Sequence, residues 1–241
     1  QEIIDQIKIK LDVVESNLPE GVKIFIPYDT NKFLGESIDK VVNTLIEAFI
    51  LVFLVVYIFL QDFRSTLIPA IAVPVSIIGT FFFLNLFGYS INLLTLFALV
   101  LAIGIVVDDA IVVVEAVHAK IDKGATDPKK ATIEAMQEIS GAIISITLVL
   151  AAVFIPVTFI TGPTGVFYEQ FGVTLIVAII ISAVNALTLS PALCALLLKG
   201  HKDESEDGKK KNFLKRFFAA FNRGFDATIK KYGKSVHFLY R

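Results

Sequence analysis

Five apolar stretches, each long enough to cross a bilayer as a helix, dominate this chain at residues 41–60, 66–87, 91–114, 139–160 and 171–198. A hydrocarbon core of about 30 Å needs about 20 apolar residues in a helix. Inside it every backbone N–H and C=O must bond within its own segment, so such runs become helices. Burying all five in a water-soluble protein would need a large polar shell, and the 241 residues leave little sequence to build one. The composition agrees, with 55% hydrophobic residues against about 45–50% in soluble domains. The expected fold class is an all-α membrane protein: five transmembrane helices of a larger helical bundle, with a short α/β extramembrane remnant and an amphipathic cytoplasmic helix.

Charge sets the expected orientation, because Lys and Arg are retained in cytoplasmic loops. The connector 61–65 carries Arg64, the connector 115–138 carries Lys120, Lys123, Lys129 and Lys130, and the tail 199–241 is rich in both residue types. The connectors 88–90 and 161–170 carry none. The sides alternate as five spans require, which places the tail in the cytoplasm and the N-terminal segment outside, in the periplasm of a Gram-negative cell. Lys8, Lys10, Lys23, Lys32 and Lys40 do not oppose this, since long or folded flanks escape the rule. A net charge of −1 gives no reason to expect nucleic acid.

Residues 1–36 read as the end of a larger periplasmic domain. Ile4, Ile7, Leu11 and Val14 form a helical stripe, Pro19-Glu20-Gly21 is a turn, and residues 22–28 alternate as a strand does. The transmembrane domain is expected over 37–198. Residues 199–212 form a charged linker. Residues 213–233 form an amphipathic helix, with Phe213, Phe217, Phe221 and Phe225 at four-residue spacing among basic residues, suited to lying in the membrane interface. Residues 234–241 begin another apolar segment, and the chain reads as a piece of a longer polypeptide. Pro69 is expected in the first turn of its span, where it is tolerated. Pro74 and Pro191 are expected to bend their helices. Asp127-Pro128 is a helix start.

Chemistry concentrates at Asp108 and Asp109, adjacent in the run Gly104-Ile-Val-Val-Asp108-Asp109-Ala-Ile-Val-Val-Val-Glu115. A carboxylate in mid-bilayer costs about 2.5–3.5 kcal/mol on insertion scales and usually marks a proton relay or an ion pair. Burial and mutual repulsion both favour protonation of at least one of the two, and the pair is expected to titrate as one coupled unit. No Lys or Arg lies in any of the five spans, so a cationic partner has to come from outside this chain. Gly104, one turn before Asp108, would let another helix approach. Glu47 and Glu115 are possible accessory carboxylates, with snorkelling and a solvated helix end as their plainer readings. Asn92, Thr95, Asn185 and Thr188 can bond between helices. Cys194 reads as a buried small side chain. His118, His201 and His237 are too scattered for a metal site and read as exposed or interfacial. An intramembrane aspartyl protease also uses two aspartates, but on neighbouring helices with a Gly-x-Gly-Asp motif that is missing here. A structural scaffold is a further alternative, in which neutralising the aspartates alters assembly alone.

The double-aspartate span resembles the fourth transmembrane helix of the resistance-nodulation-division (RND) efflux pumps, in the hydrophobe/amphiphile branch of AcrB-like inner-membrane pumps. Pro27-Tyr-Asp-Thr30, Phe59-Leu-Gln-Asp-Phe-Arg64 with Thr66-Leu-Ile-Pro69, and Ser190-Pro-Ala-Leu-Cys194 resemble other family segments in the same order. The resemblance implies that the five spans are the second to sixth of twelve. It implies proton antiport through Asp108 and Asp109, driven by the proton motive force with no cofactor. It implies a homotrimer in the bacterial inner membrane, a periplasmic adaptor, an outer-membrane channel and small amphiphilic substrates. The rest of the same transporter would supply a Lys near the aspartates. Metal-exporting relatives would use methionines along the path, and the single Met136 gives that branch no support. An RND-like protein moving lipid or serving secretion is the remaining alternative.

Overall fold

The structure, a computed structural model, describes residues 2–19, 21–26, 30–162, 164–199 and 213–239. Its helices are α1 (Glu2–Glu15), α2 (Thr30–Leu60), α3 (Phe63–Leu86), α4 (Leu93–Asp122), α5 (Pro128–Phe154, continued by a 3₁₀ turn at Ile155–Phe159), α6 (Gly165–Leu187), α7 (Leu189–Leu197) and α8 (Phe213–Leu239). Five segments are long and apolar enough to cross a membrane: Leu34–Leu60, Phe63–Leu86, Leu93–Asp122, Pro128–Phe159 and Gly165–Leu197. They coincide with the five apolar runs, so the chain is a multi-pass helical membrane protein.

α4 is the central helix and packs against α2, α3, α5, α6 and α7. Small side chains make this possible. Ala98 and Ala102 of α4 meet Leu175 and Ala178 of α6, and Gly79 of α3 sits where a Cβ would stand 3.2 Å from Ile181 Cγ2 of α6. Lipid is as apolar as leucine, so close van der Waals packing and interhelical hydrogen bonds hold such a bundle. Asn185 of α6 donates to Ser76 Oγ of α3 at 2.8 Å, and Asn92 bonds Gln170 across α4 and α6. Thr95 and Thr188, by contrast, bond within their own segments.

Where helices end follows local chemistry rather than hydropathy. α2 starts at Thr30, well before residue 41, because Ile38, Val41 and Leu45 continue a stripe that packs on Leu93, Leu96 and Leu99 of α4. α4 likewise runs past residue 114 to Asp122. It starts at a capping box in which Asn92 accepts from Leu94 and Thr95 N–H, and Thr95 Oγ1 accepts from Asn92 N–H. The Asp127-Pro128 start is borne out: Asp127 accepts from Lys129 N–H at 3.0 Å, and α5 runs unbroken into its span.

Two expectations are corrected, the place of Pro69 and the strand over residues 22–28. Asp62 caps α3, which moves the helix start back to Phe63 and places Pro69 in the helix interior. Pro74 also lies within one continuous helix. At Pro191 the expected distortion goes as far as a break, since the final span divides at Thr188 (φ −126°, ψ −65°), three residues before the proline. Proline has no N–H to offer the Leu187 carbonyl one turn back and clashes with it, so the break falls there. Residues 22–26 form no strand, and none forms among the described residues, since an alternating segment without a partner ladder has nothing to pair with. The Pro27-Tyr-Asp part of the N-terminal motif and linker residues 200–212 lie outside the described residues.

α8 runs unbroken past residue 233 to Leu239 and docks on the end of α2. Phe221 and Phe225 stack on each other and meet Phe59 edge-on at 5.6 and 6.2 Å, while Phe218 meets Tyr57 at 5.9 Å. The Gln61 and Asn222 amides bond each other at 2.6 and 3.2 Å. Phe213 and Phe217 side chains lie outside the described residues.

Candidate functional site: the aspartate pair and its surroundings

Successive helical residues point about 100° apart, and the structure shows what this does to the pair. Asp109 is half-buried and turns toward α6, where Ser182 donates its hydroxyl to Oδ2 at 2.5 Å. Asp108 is exposed and turns away. Its side of α4 carries Leu101, Gly104, Val112 and Glu115, all exposed. No described helix approaches Gly104, since a Cβ there would meet nothing within 4 Å. The face therefore stands open for a further helix. Glu115 shares it, two turns beyond Asp108. Glu47 is exposed on α2 and is not brought to the pair.

Ser182 was not legible as a site residue. Its signal is a hydroxyl one turn before Asn185 in an apolar run, and only the packing of α6 on α4 reveals the partner. Its oxygen also lies 3.4 Å from the Val106 carbonyl. A serine has one proton to give. It can go to an ionised Asp109, or turn to Val106 while a protonated Asp109 donates to Ser182 Oγ. The site thus has a hydrogen-bonded arrangement for each protonation state. Val113, Val114 and Val117 continue α4 as a fully buried apolar wall. Among the described residues no group of His, Cys, Asp and Glu could hold a metal ion.

A second polar cluster lies where α2 turns into α3. Asp62 Oδ2 accepts from Ser65 N–H at 2.9 Å and Ser65 Oγ–H at 2.6 Å. Ser65 Oγ lies 2.6 Å from His118 Nε2 of α4. Arg64 Nη1 reaches the Leu197 carbonyl of α7 at 3.4 Å. His118 is thus half-buried and bonded rather than a free interfacial residue. Burial by itself would push the Asp62 carboxyl up, but the Ser65 hydroxyl, the Ser65 and Arg64 N–H groups and nearby His118 outweigh it and hold it below the usual carboxylate range.

The depressed Asp62 contributes stability above its unfolded value, about 3.9, and loses it as pH falls through the folded value. Asp62→Ala should cost about 1 kcal/mol, the usual loss for a helix cap. Melting curves of detergent-solubilised protein should differ between wild type and variant at neutral pH and converge below about pH 4. Curves that stay equally far apart in acid would show that the carboxylate charge is not what caps α3.

At the opposite end Tyr89 donates to Glu169 of α6 at 2.8 Å. Burial and this carboxylate push the Tyr89 hydroxyl up. Nearby, Leu94, Thr164, Phe167, Tyr168 and Phe171 line an open groove of about 410 Å³.

Five membrane-crossing helices, with two adjacent carboxylates on the central one, define a polytopic helical membrane protein. The model of the AcrB/AcrD/AcrF family matches residues 1–241, and the chain belongs to that family of efflux transporters. It is 50% identical to the multidrug export protein AcrF of Escherichia coli (strain K12) over 95% of its length. It is 47% identical to the multidrug resistance protein MdtF of the same strain over 98%. It is 44% identical to the toluene efflux pump membrane transporter TtgE of Pseudomonas putida, also over 98%. The chain spans 22% of the length of each of these relatives. The RND resemblance of the double-aspartate span is borne out.

Proposed function

We propose that this chain is part of the membrane domain of a proton-driven exporter of hydrophobic and amphiphilic compounds, with Asp108 and Asp109 as its proton relay. The observation that carries this reading is the Asp109–Ser182 bond at 2.5 Å beside an exposed Asp108. One carboxylate has a partner for either protonation state, and its neighbour faces the open side of α4, where the rest of the transporter would supply a cation. The relatives named as multidrug and toluene exporters support the substrate class. The protein would be a secondary active transporter of the bacterial inner membrane, using the proton motive force and no cofactor. Its N-terminal segment would be periplasmic, and the α2–α3 turn, the α4–α5 connector and the tail cytoplasmic, in keeping with their Lys and Arg. It would work as a homotrimer with a periplasmic adaptor and an outer-membrane channel, a reading that membership of the family supports.

Each elementary charge crossing 100 mV releases about 2.3 kcal/mol, which movement of α4 against its neighbours would pass on. The test uses the full-length parent protein in proteoliposomes with a cationic amphiphilic dye. Dye should move uphill only under a pH difference that drives protons from the periplasmic to the cytosolic side, and a protonophore should stop it. Uphill movement that ignores the gradient would overturn the proposal.

A further inference from the structure

The hydrogen-bond order at the α2–α3 turn fixes where one proton must sit. An ionised carboxylate only accepts. Asp62 takes the single hydroxyl proton of the fully buried Ser65 at 2.6 Å. Ser65 Oγ, lying 2.6 Å from His118 Nε2, can then only accept from it, so Nε2 carries a hydrogen. Two forms of the ring meet that demand, the neutral Nε2–H tautomer and the imidazolium. The imidazolium adds charge to the same chain of bonds, N–H to Ser65 and Ser65 to Asp62. Charge-assisted bonds are roughly twice as strong as neutral ones.

His118 stands nine residues beyond Asp109 on α4, on the order of 14 Å along the axis. The buried valines between them form no proton path. What His118 grips is the end of the helix that carries the relay. Resting on the relay and orientation proposed above, we propose that His118 is a positioning residue whose protonation from the cytosol tightens the hold of Ser65 and Asp62 on α4 and slows its movement.

Among the described residues, Asp62 is the carboxylate joined to His118 through Ser65. Arg64 of α3 is turned to the Leu197 carbonyl of α7. Glu138 of α5 pairs with Lys120 of α4. Lys129, Lys130 and Glu134 of α5 are exposed, as are Lys199 after α7, Glu115 and Asp122 on α4 itself and Lys123 at its end. The end of α2 from Tyr57 to Leu60, and Gln61 after it, carry no charge.

The experiment uses the full-length parent protein in proteoliposomes, at a constant pH difference, with the cytosolic side taken from about pH 8 to about pH 6. Wild-type dye transport should fall about threefold toward acid, a modest loss within the doubling of bond strength described. His118→Gln keeps a neutral donor to Ser65 but cannot titrate, so its rate should stay at the alkaline wild-type level throughout. Nitrogen NMR of histidine-labelled protein, with the His118 signal identified by its loss in that variant, should show Nε2 protonated at every pH, and Ser65→Ala should release that preference. An unprotonated Nε2 in the wild type, or a His118→Gln profile that still falls with acid, would overturn the inference. Asp109→Asn should be inactive across the whole range. If it exports normally, the relay reading fails, while the NMR result still decides the state of His118.

Discussion

Asp109→Asn in the intact parent protein is expected to abolish drug export. Asparagine matches aspartate in shape, and its carbonyl can still accept the Ser182 hydroxyl, so the contact of α4 with α6 survives. What disappears is the ability to take up and release a proton. Loss of a proton-transfer group typically costs a factor of about 100 or more, and here no second group among the described residues replaces it at Ser182. Asp108→Asn should match it by another route. Asp108 accepts no hydrogen bond among the described residues, so its substitution removes only the charge presented on the open face of α4. Drug accumulation in pump-deficient cells, at matched membrane levels, reads both. Normal export by both variants would mean that the coupling site is elsewhere, even though the family assignment stands.

Gly165→Ala should give the largest loss of stability. Gly165 opens α6 in a buried position, and a Cβ there would stand 2.1 Å from the Ile160 carbonyl oxygen and 2.8 Å from its carbon. Both are backbone atoms, so relief requires moving the turn between the 3₁₀ segment and α6. Overpacking of this kind costs about 1–3 kcal/mol and sometimes more, and we place Gly165→Ala at about 3 kcal/mol. Gly172→Ala makes a sharp comparison, because its Cβ would meet the methyl of Thr158 at 2.9 Å. Relief there needs only the Thr158 side chain to turn, at the loss of its bond to the Ile155 carbonyl, so that change should cost less, about 1 kcal/mol. Melting in detergent and steady-state membrane level should both drop clearly for Gly165→Ala and only slightly for Gly172→Ala. Equal melting points for wild type and Gly165→Ala would show that the turn is soft.

The spans were legible because bilayer thickness acts on chain length directly, and a run of apolar residues long enough to cross has few other uses. The aspartate pair was legible because its cost in that setting singles it out. Outside the hydrocarbon the same logic stops. The start of α2 at Thr30 depends on Ile38 finding α4, and the start of α3 depends on Asp62 finding Ser65. Neither raises the hydropathy of its segment. Residues 22–28 show the converse, with alternation present and no partner ladder to make residues 22–26 a strand. Ser182 escaped notice and His118 was read as exposed or interfacial, because each gains its meaning from another helix, Ser182 from Asp109 and His118 from Ser65. The outward turn of Asp108 was implicit in the helical period, but which of the two neighbours would face α6 was not.

The division of the last span at Thr188 has a mechanical consequence. A straight helix passes torque from end to end, whereas a jointed one does not. α6 carries Ser182 against Asp109, while α7 is moored by the Arg64 bond to Leu197 and by Cys194 packed in the apolar cluster at that end. With the joint between them, α6 can roll or tilt about its own axis in step with α4 without dragging its anchorage at the membrane surface along.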